Sequence, residues 1–417
     1  MGADGHRVVV VGGGAAGFFA AITCAETEPA AHVTVLEGGA PLSKVRISGG
    51  GRCNVTHDQP DPALLVEYYP RGAKALRGPL TRFGPRETVA WFQARGVALK
   101  TEPDGRMFPT SDDSKTIVDC LLAASRSAGV EVRTKTPASE VTASDDGAGG
   151  YAAALRSGES LRADRLLLAT GGSPAGFRWA AKLGHTVEPP VPSLFTFEID
   201  DPRLSGLAGV SVNVGSVRLE GSREVHAGPL LVTHWGLSGP AVLKASAWGA
   251  RLLHDNQYRL GLIVDWLPGL REDEVRDALL AAKRRDARRS VLTTSPLELP
   301  SRLWRSLARA AGARDDTRWA DASKALLAAL ATELKRGSYA IEGKGVFKEE
   351  FVTCGGVRLS EVDFATMESR LRPGLHFAGE ILDIDGVTGG FNFQSAWTTG
   401  WAAGLALASA PPSGAAQ

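Results

Sequence analysis

The sequence is short of the residues and segments that mark several large classes of protein. Its 417 residues include only four cysteines, and no two of them form a C-x-x-C pair. This content excludes a zinc ribbon, a thioredoxin-type redox motif and a disulfide framework. No apolar run reaches the length of a membrane-spanning helix, and the start of the chain lacks a secretory signal pattern. We therefore expect a cytoplasmic protein without a membrane partner.

An excess of charge of either sign is also missing. The chain has 47 Lys and Arg against 46 Asp and Glu, so its net charge is +1, and 43% of its residues are hydrophobic. This balance is typical of a globular protein and does not indicate nucleic-acid or membrane-surface binding by the chain as a whole. No pattern typical of a metal cluster, a Ser-His-Asp triad or phosphoryl transfer occurs. A chain of this length usually forms two or three domains.

The chain opens with a strand, a glycine-rich turn and a helix. RVVVV (7–11) leads into GGGAAG, and an apolar pattern of helical spacing follows. Gly12 permits the tight turn, Gly14 lets a pyrophosphate approach the backbone, and Gly17 lets the helix pack on the strand. The helix N-terminus supplies free N–H groups for phosphates. This context predicts a dinucleotide-binding site.

The second strand ends in an acidic residue at the position that such a site requires. HVTVLE (32–37) closes with Glu37, which is 20 residues after Gly17. The Glu37 carboxylate can accept hydrogen bonds from ribose hydroxyl groups and would repel a 2′-phosphate. We therefore predict that Glu37 binds the adenosine ribose.

Two later glycine-rich segments favour FAD over NAD. RISGGGRCNVTHD (46–58) follows soon after Glu37, and its glycines would let the chain lie along an extended cofactor. In the segment 375–404, Asp383 is predicted to bind a ribityl hydroxyl group. The N–H groups that start the following helix are predicted to face the N1–C2=O edge of the flavin, where a helix N-terminus raises electron affinity. These N–H groups belong to Gly390, Phe391 and Asn392.

These segments resemble motifs of the FAD-dependent oxidoreductases often called BaiN-like flavoproteins, a family that includes aminoacetone-oxidase-like proteins. The segments are VVVVGGGAAG, ISGGGRCNVT, LLATGG, THWGLSGPAVLKAS, FVTCGGVRLSEVDFATMESR and FAGEILDIDGVTGGFNFQSAW. The resemblance implies an α/β fold in which a three-layer, Rossmann-like FAD-binding domain is interrupted by a β-rich insert and a helical insert. It also implies that residues 48–54 lie along the flavin and the pyrophosphate, so that missing side chains make room for FAD.

Together these patterns predict a non-covalently bound FAD, because no histidine or cysteine lies in an evident flavin-linkage motif. The predicted FAD contacts are Gly12, Gly14, Ala15, Ala16, Gly17, Glu37, Lys44, Gly50, Gly51, Arg52, Cys53, Asn54, Ala138, Thr170, Gly171, Gly379, Glu380, Asp383, Gly389, Gly390, Phe391 and Asn392.

Two positions depart from the family's pattern. The segment SPAGFRWAAKLGH (173–185) is shorter than the family's usual loop, so the family's substrates do not transfer directly. Cys354 stands where the family commonly has alanine. We interpret Cys354 and Cys53 as packing residues, because a redox cysteine needs a stabilised thiolate and usually a partner thiol.

The positions of the FAD segments predict a discontinuous domain formed by residues 1–188 and 346–417. Residues 189–270 alternate in strand fashion, which predicts a barrel-like, β-rich insert. Residues 271–345 change to helical spacing, which predicts a helical insert.

Few residues are candidates for acting on a substrate. No second G-x-G-x-x-G follows a strand, so NADH or NADPH would bind only transiently as a reductant. His234 is a candidate proton donor, and Arg52 with Asn54 could fix a substrate carbonyl or carboxylate over the flavin. A structural role for His234, and purely cofactor-binding roles for Arg52 and Asn54, remain alternatives.

Three functions remain open. The first is reduction of an activated C=C or C=N bond in a small metabolite by reduced flavin. The second is amine oxidation with O₂ as electron acceptor, as in aminoacetone-oxidase-like relatives. The third is reduction of a uridine ring in ribosomal RNA, which the resemblance also allows. We expect a small-molecule substrate, and no obligate protein partner is evident.

The helical insert contains a local excess of positive charge that bears on the RNA hypothesis. Residues 271–337 contain 15 Lys and Arg against 10 Asp and Glu. Three arginines have the spacing of one helical face: Arg302, Arg305 and Arg309. They form either a solvated face paired with nearby carboxylates or a surface that follows phosphates. Trp304 and Trp319 are the only aromatic residues there, so we expect RNA binding to be weak and salt-sensitive.

Overall fold

The computed structural model of the chain describes residues 5–144, 150–345 and 352–409. The chain divides into two compact units, which we call the discontinuous unit (Met1–Pro190 with Val352–Gln417) and the inserted unit (Val191–Phe351). The domain boundaries predicted at residues 188 and 346 stay a prediction, and residue 346 lies outside the described residues.

The first part of the chain alternates strands and helices. In chain order these are β1 (Arg7–Val11), α1 (Ala15–Thr27), β2 (His32–Leu36), α2 (Ser43–Gly51), β3 (Thr56–His57), α3 (Pro62–Leu65), α4 (Ala73–Arg82), α5 (Pro85–Gln93), β4 (Leu99–Thr101), β5 (Arg106–Pro109), α6 (Ser114–Ser127), β6 (Glu131–Arg133), β7 (Ala138–Ala143), β8 (Tyr151–Leu155), β9 (Ser160–Ala163), β10 (Arg165–Leu168), α7 (Pro174–Lys182) and β11 (Val187–Ser193).

The inserted unit mixes strands and helices in the middle of the chain. Its elements are β12 (Phe197–Glu198), β13 (Ser211–Leu219), β14 (His226–Val232), β15 (Gly236–Ser238), α8 (Pro240–Trp248), α9 (Ala250–Asp255), β16 (Leu260–Asp265), α10 (Glu272–Arg285), α11 (Ser301–Ala310), α12 (Lys324–Arg336), β17 (Gly337–Ile341) and β18 (Gly343–Lys344). The last part of the chain adds β19 (Val352–Val357), β20 (Val362–Asp363), β21 (Glu368–Ser369), β22 (Leu375–Phe377) and α13 (Phe391–Ala408).

The discontinuous unit is built on a seven-stranded sheet in the order β20-β21-β22-β10-β1-β2-β6. The strands from β22 to β6 are parallel, with Val9 opposite both Leu166 and Thr34. Such strands are covered on both faces, which explains the continuous aliphatic runs of β1 and β10. This is the predicted Rossmann-like α/β fold.

Helices α1 and α13 pack closely against each other in this unit. A Cβ atom on Gly400 would lie 2.6 Å from the Ala16 carbonyl oxygen, and one on Gly404 would lie 2.6 Å from that of Ala20. The first and last helices of the unit therefore approach through backbone rather than through side chains. The loops after β1, β2, β10 and β22 follow the carboxyl ends of parallel strands, which form one edge of the sheet and usually bind the ligand.

The inserted unit contains a seven-stranded antiparallel sheet in the order β17-β16-β13-β14-β15-β12-β18. Its hydrophobic core is continuous and includes strand residues such as Phe197 and Val264 together with helix residues such as Leu307 and Leu330. This differs from the predicted succession of a β-rich and a helical insert. Helix α12 packs on β16 and β17, and the strands β17 and β18, which follow the helices in the chain, belong to the same sheet. Sequence periodicity does not reveal such a long-range arrangement.

Within the described ranges, no helix combines the length and the apolar composition needed to cross a bilayer.

Candidate cofactor site

The turn between β1 and α1 excludes side chains at two of its glycines. Gly12 has a φ of +115°, and a Cβ atom there would lie 2.3 Å from the Ala169 carbonyl oxygen. A Cβ atom on Gly17 would lie 2.0 Å from the Gly12 carbonyl oxygen. Backbone therefore packs on backbone where β1, α1 and the end of β10 meet.

Gly14 differs from these two glycines because it faces open space. It is the N-cap of α1 without a side-chain cap, and no described residue lies within 4 Å of the position of its Cβ atom. The first N–H groups of a helix have no partner inside the helix and carry partial positive charge. The open space before Ala15 and Ala16 thus fits a diphosphate group.

Glu37 is held beside this turn by two backbone hydrogen bonds. Its carboxylate accepts the N–H of Gly13 at 2.8 Å and the N–H of Gly39 at 2.7 Å. The N–H of Thr136 donates to the Glu37 carbonyl at 2.8 Å, which brings the start of β7, with Ala138, near the end of β2. A carboxylate fixed in this way keeps further lone pairs for ribose hydroxyl groups.

Thr170 offers a polar group that the described residues leave unused. Its Oγ1 is buried and has no hydrogen-bond partner among them. Thr170 lies beside the turn, since a Cβ atom on Gly12 would be 3.1 Å from the Thr170 Cα atom, and Gly171 next to it has a φ of +58°. Buried hydroxyl groups normally find a partner. This one lies against α7, since a Cβ atom on Gly176 would be 1.8 Å from it, and the role of Thr170 toward FAD stays a prediction.

The glycine triplet in α2 has two separate causes. Gly49, Gly50 and Gly51 have φ values of +58°, +66° and +84°, a left-handed conformation that costs other residues about 1–2 kcal/mol each. Cβ atoms on Gly50 and Gly51 would meet none of the described residues within 4 Å, whereas one on Gly49 would lie 3.1 Å from the Asn54 backbone nitrogen. The space beside Gly50 and Gly51 is thus compatible with a bound cofactor. The left-handed backbone is a second reason for glycine, which the sequence did not indicate.

Asn54 connects the glycine loop to the start of α13. With its amide oriented to satisfy both groups, its side chain accepts the N–H of Gly390 at 3.0 Å and donates to the Thr56 carbonyl at 3.0 Å. One of the three N–H groups predicted to face the flavin is therefore taken by Asn54. The N–H groups of Phe391 and Asn392 remain at the start of the helix.

Arg52, the predicted catalytic cation, is held by protein groups. Its guanidinium lies 2.7 Å from a Glu102 carboxylate oxygen, 3.5 Å from one of Asp112 and 4.0 Å from the centre of the Phe108 ring. The positive charge of Arg52, which we predicted to face the substrate or the flavin, is thus compensated by carboxylates of the protein. This arrangement favours a role for Arg52 in shaping the loop over the predicted catalytic role.

Two further predicted contacts pair with each other. Lys44 lies 2.8 Å from one Glu380 carboxylate oxygen, and the other oxygen accepts the N–H of Thr353 at 2.9 Å. The segments of α2, β19 and the loop after β22 are joined at this point.

Sequence reasoning missed a segment that holds the loop before α13. We call residues 68–71 the clamp. The N–H of Val387 donates to the Tyr68 carbonyl at 2.9 Å, and the Tyr69 hydroxyl donates to the Phe391 carbonyl at 2.7 Å. The buried carboxylate of Asp385 pairs with the Arg71 guanidinium through two hydrogen bonds. The signal available in the sequence was YYPR, an aromatic pair followed by proline and arginine in a segment without helical or strand periodicity.

The same loop is also held by hydrogen bonds to α13 and β19. The Asn392 side chain accepts the N–H of Gly386 and donates to its carbonyl, both at 2.8 Å. The Asp383 N–H donates to the Val357 carbonyl at 3.1 Å, and the Gly379 N–H donates to the Thr399 hydroxyl at 3.0 Å. Gly389 and Gly390 have φ values of +133° and +92°. The roles of Asp383 and Asn392 toward FAD stay predictions.

His234 lies in the inserted unit, at the turn between β14 and β15. Its ring is exposed and lies 6.0 Å from the Trp235 ring, which is also exposed. The proton-donor role predicted for His234 remains a prediction.

The cysteines should be unreactive in the folded protein. All four are buried and outside any disulfide, and burial raises the pKa of the Cys53 thiol and that of Cys24 to about 12. Because the thiolate is the reactive form, a raised pKa leaves little of it at neutral pH. We expect an aromatic disulfide reagent to label no thiol of the native protein at mildly alkaline pH and all four after unfolding. Rapid labelling of any thiol in the native protein would contradict the packing role.

Comparison with known proteins identifies the family of the chain. Residues 6–406 match the family described as HI0933-like protein Rossmann domain. The chain is 30% identical to a 3-dehydro-bile acid delta(4,6)-reductase of Clostridium scindens, over 97% of this chain and 100% of that protein. It is also 30% identical to a ribosomal RNA dihydrouridine synthase of Escherichia coli, over 97% of this chain and 98% of that protein.

A solved structure has the same fold. The 3-ketosteroid-delta4-(5alpha)-dehydrogenase of Rhodococcus jostii aligns over 97% of both chains with a TM-score of 0.52 and 16% identity. The chain therefore belongs to the HI0933-like protein Rossmann domain family and is an FAD-dependent oxidoreductase.

Proposed function

We propose that this oxidoreductase reduces a carbon–carbon double bond conjugated to a carbonyl group in a small molecule. The observation that carries the proposal is the 30% identity to the bile acid reductase over 97% of this chain and the whole of that protein. By its name, that relative reduces ring double bonds. Other relatives with comparable identity have a different named substrate, so identity supports the reaction class more strongly than the substrate.

The residues of the site fit the tasks that such a reaction leaves to the protein. FAD, when bound, supplies the hydride chemistry. The open N-terminus of α1 would hold its diphosphate, and Glu37 its adenosine ribose. The start of α13 is fixed by Asn54 and Tyr69. It would present N–H groups and partial positive charge to the N1–C2=O edge of the flavin, where negative charge gathers on reduction. The reduced bond also needs a proton, and the His234 imidazole is the proposed donor.

The test uses FAD-loaded protein without oxygen, reduced by NADH, NADPH or dithionite in separate samples. We expect a conjugated cyclic ketone to reoxidise the flavin and to gain two hydrogen atoms, whereas the matched saturated ketone should leave the flavin reduced. Reduction by NADH or NADPH would identify the donor, which remains a prediction. His234→Gln should slow reoxidation without changing FAD content.

An amine substrate that reduces the flavin, followed by reoxidation with O₂ and inertness toward the conjugated ketone, would contradict the proposal. That result would support the amine oxidase hypothesis instead.

Reduction of uridine in RNA is the second candidate. The relatives named as ribosomal RNA dihydrouridine synthases favour it, and the double bond of uracil is also conjugated to a carbonyl group. The same reoxidation assay separates the two candidates when a uridine-containing RNA hairpin replaces the ketone.

A further inference from the structure

An open groove in the inserted unit is lined by arginines. Its volume is about 700 Å³, and its lining includes Arg203, Arg302, Arg305 and Arg309 but no acidic residue. The groove lies between α11 and the loop that precedes β13.

The arginines of α11 project from the side of the helix opposite its apolar face. Leu303, Trp304 and Leu307 are buried in the core of the unit, whereas Arg302, Arg305 and Arg309 are exposed. Residues three and four apart on a helix are neighbours, and like charges at that spacing reduce helix stability. Three arginines along one groove therefore weaken the helix unless a ligand offsets their repulsion.

The four arginines differ in how far the protein already satisfies them. Arg203 is fully engaged, since it pairs with Asp201 at 2.6 Å and Glu333 at 2.7 Å and lies 3.9 Å from the centre of the Tyr339 ring. Arg309 pairs with Asp315 at 2.6 Å, in an exposed position where such pairs are weak.

The other two arginines have no carboxylate partner among the described residues. Arg302 donates to the Gly206 carbonyl, which leaves its positive charge uncompensated. Arg305 makes no hydrogen bond or ion pair with any described residue. The Ser306 hydroxyl, in the same lining, donates to the Arg203 carbonyl at 2.7 Å and so fixes the helix against the loop. The groove therefore presents two uncompensated guanidinium groups, with a third that can exchange its partner.

We propose that this groove, which we call the arginine groove, is a binding site for phosphate groups. Guanidinium groups bind phosphate through two parallel hydrogen bonds, and several of them in a row suit a ligand with more than one negative charge. The site recognises phosphate rather than a base, because Trp304 and Trp319 are buried and their indole N–H groups donate to the carbonyls of Val291 and Thr294. The ligand is either a small phosphorylated molecule or the backbone of RNA.

This proposal is independent of the reaction proposed above, and its test does not depend on turnover. The readouts are binding of a fluorescent RNA hairpin and of inorganic pyrophosphate to the FAD-loaded full chain, over a series of salt concentrations. The groove variant is Arg302→Gln/Arg305→Gln. The matched control is Arg284→Gln/Arg288→Gln, which removes the same charge from exposed positions of the same unit outside the groove.

We expect the groove variant to weaken binding about tenfold at low salt and the control to change it by less than about threefold. For RNA, the slope of log affinity against log salt should fall by about one to two in the groove variant. Arg305→Lys, which keeps the charge, should recover part of the loss. Unchanged FAD content and melting temperature in both double variants show that the fold is intact.

The two ligand sources give different results. Binding of pyrophosphate that competes with RNA indicates a site for individual phosphate groups, and RNA binding without competition indicates a backbone that spans several arginines. An equal loss in the groove variant and the control would overturn the proposal, since it would show diffuse attraction to the surface. Absence of binding by both probes at low salt would overturn it as well.

Discussion

A Gly14→Val protein should fold normally and retain no FAD. Gly14 has an extended backbone, with φ of −88° and ψ of −169°, which valine adopts readily. No described residue lies within 4 Å of its Cβ position, so the first carbon of the valine side chain has room in the folded protein. It would instead fill the space in front of α1 where we place the diphosphate. Loss of FAD without loss of stability therefore identifies this space as the cofactor site.

The measurement is the FAD released on denaturation of protein purified with and without added FAD. Gly78→Val is the control, because Gly78 of α4 is exposed and, like Gly14, has no described residue within 4 Å of its Cβ position. Glu37→Ala should weaken FAD binding by about 1.5–3 kcal/mol through loss of charge-assisted hydrogen bonds. Glu37→Gln, which keeps an acceptor oxygen, should fall between Glu37→Ala and the unaltered protein. Full FAD occupancy at limiting FAD in both Gly14→Val and Glu37→Ala would place the cofactor elsewhere.

Asp385→Ala should lower the free energy of unfolding by about 3–5 kcal/mol, because it removes the buried carboxylate that pairs with the Arg71 guanidinium. The Asp385 side chain is 0% exposed and that of Arg71 is 16% exposed. Urea denaturation, followed by fluorescence, measures the change. Asp119→Ala breaks the exposed pair with Lys115 and serves as control, with an expected change of about 0–1 kcal/mol.

A double variant separates stability from cofactor binding. Arg71→Met/Asp385→Leu removes both charges and should recover most of the stability, since apolar replacement of a buried ion pair is often neutral. FAD binding should stay weaker than in the unaltered protein, because the clamp then holds the loop before α13 through fewer hydrogen bonds. A stable Asp385→Ala protein would contradict the importance of the pair.

Local patterns predicted the first part of the site, and long-range contacts produced the rest. Gly12, Gly14 and Glu37 lie within one strand-helix-strand segment, so their spacing alone placed them together. Arg71 and Asp385 are 314 residues apart, and Tyr69 and Phe391 are 322 apart, so only the completed fold brings them into contact.

The prediction for Arg52 shows the same limit. A sequence displays a positive charge but not the carboxylates that compensate it, and Glu102 lies 50 residues further along the chain. The glycine triplet is conspicuous in the sequence, but the sequence does not distinguish a left-handed backbone from a need for space. The sequence also did not predict the single core of the inserted unit, because helical and strand periodicity describe one segment at a time and not how segments pack together.

The division of the discontinuous unit also sets an order of events during synthesis. Strands β1 to β10 leave the ribosome before the inserted unit, whereas β22, which pairs with β10, and α13, which covers α1, come after it. The 161 residues of Val191–Phe351 intervene. At roughly 5–20 residues per second, their translation takes about 8–30 s. During that time α13 has not been made, so the apolar face of α1 that it covers stays exposed on the nascent chain. This face is a binding surface for chaperones that the finished protein lacks.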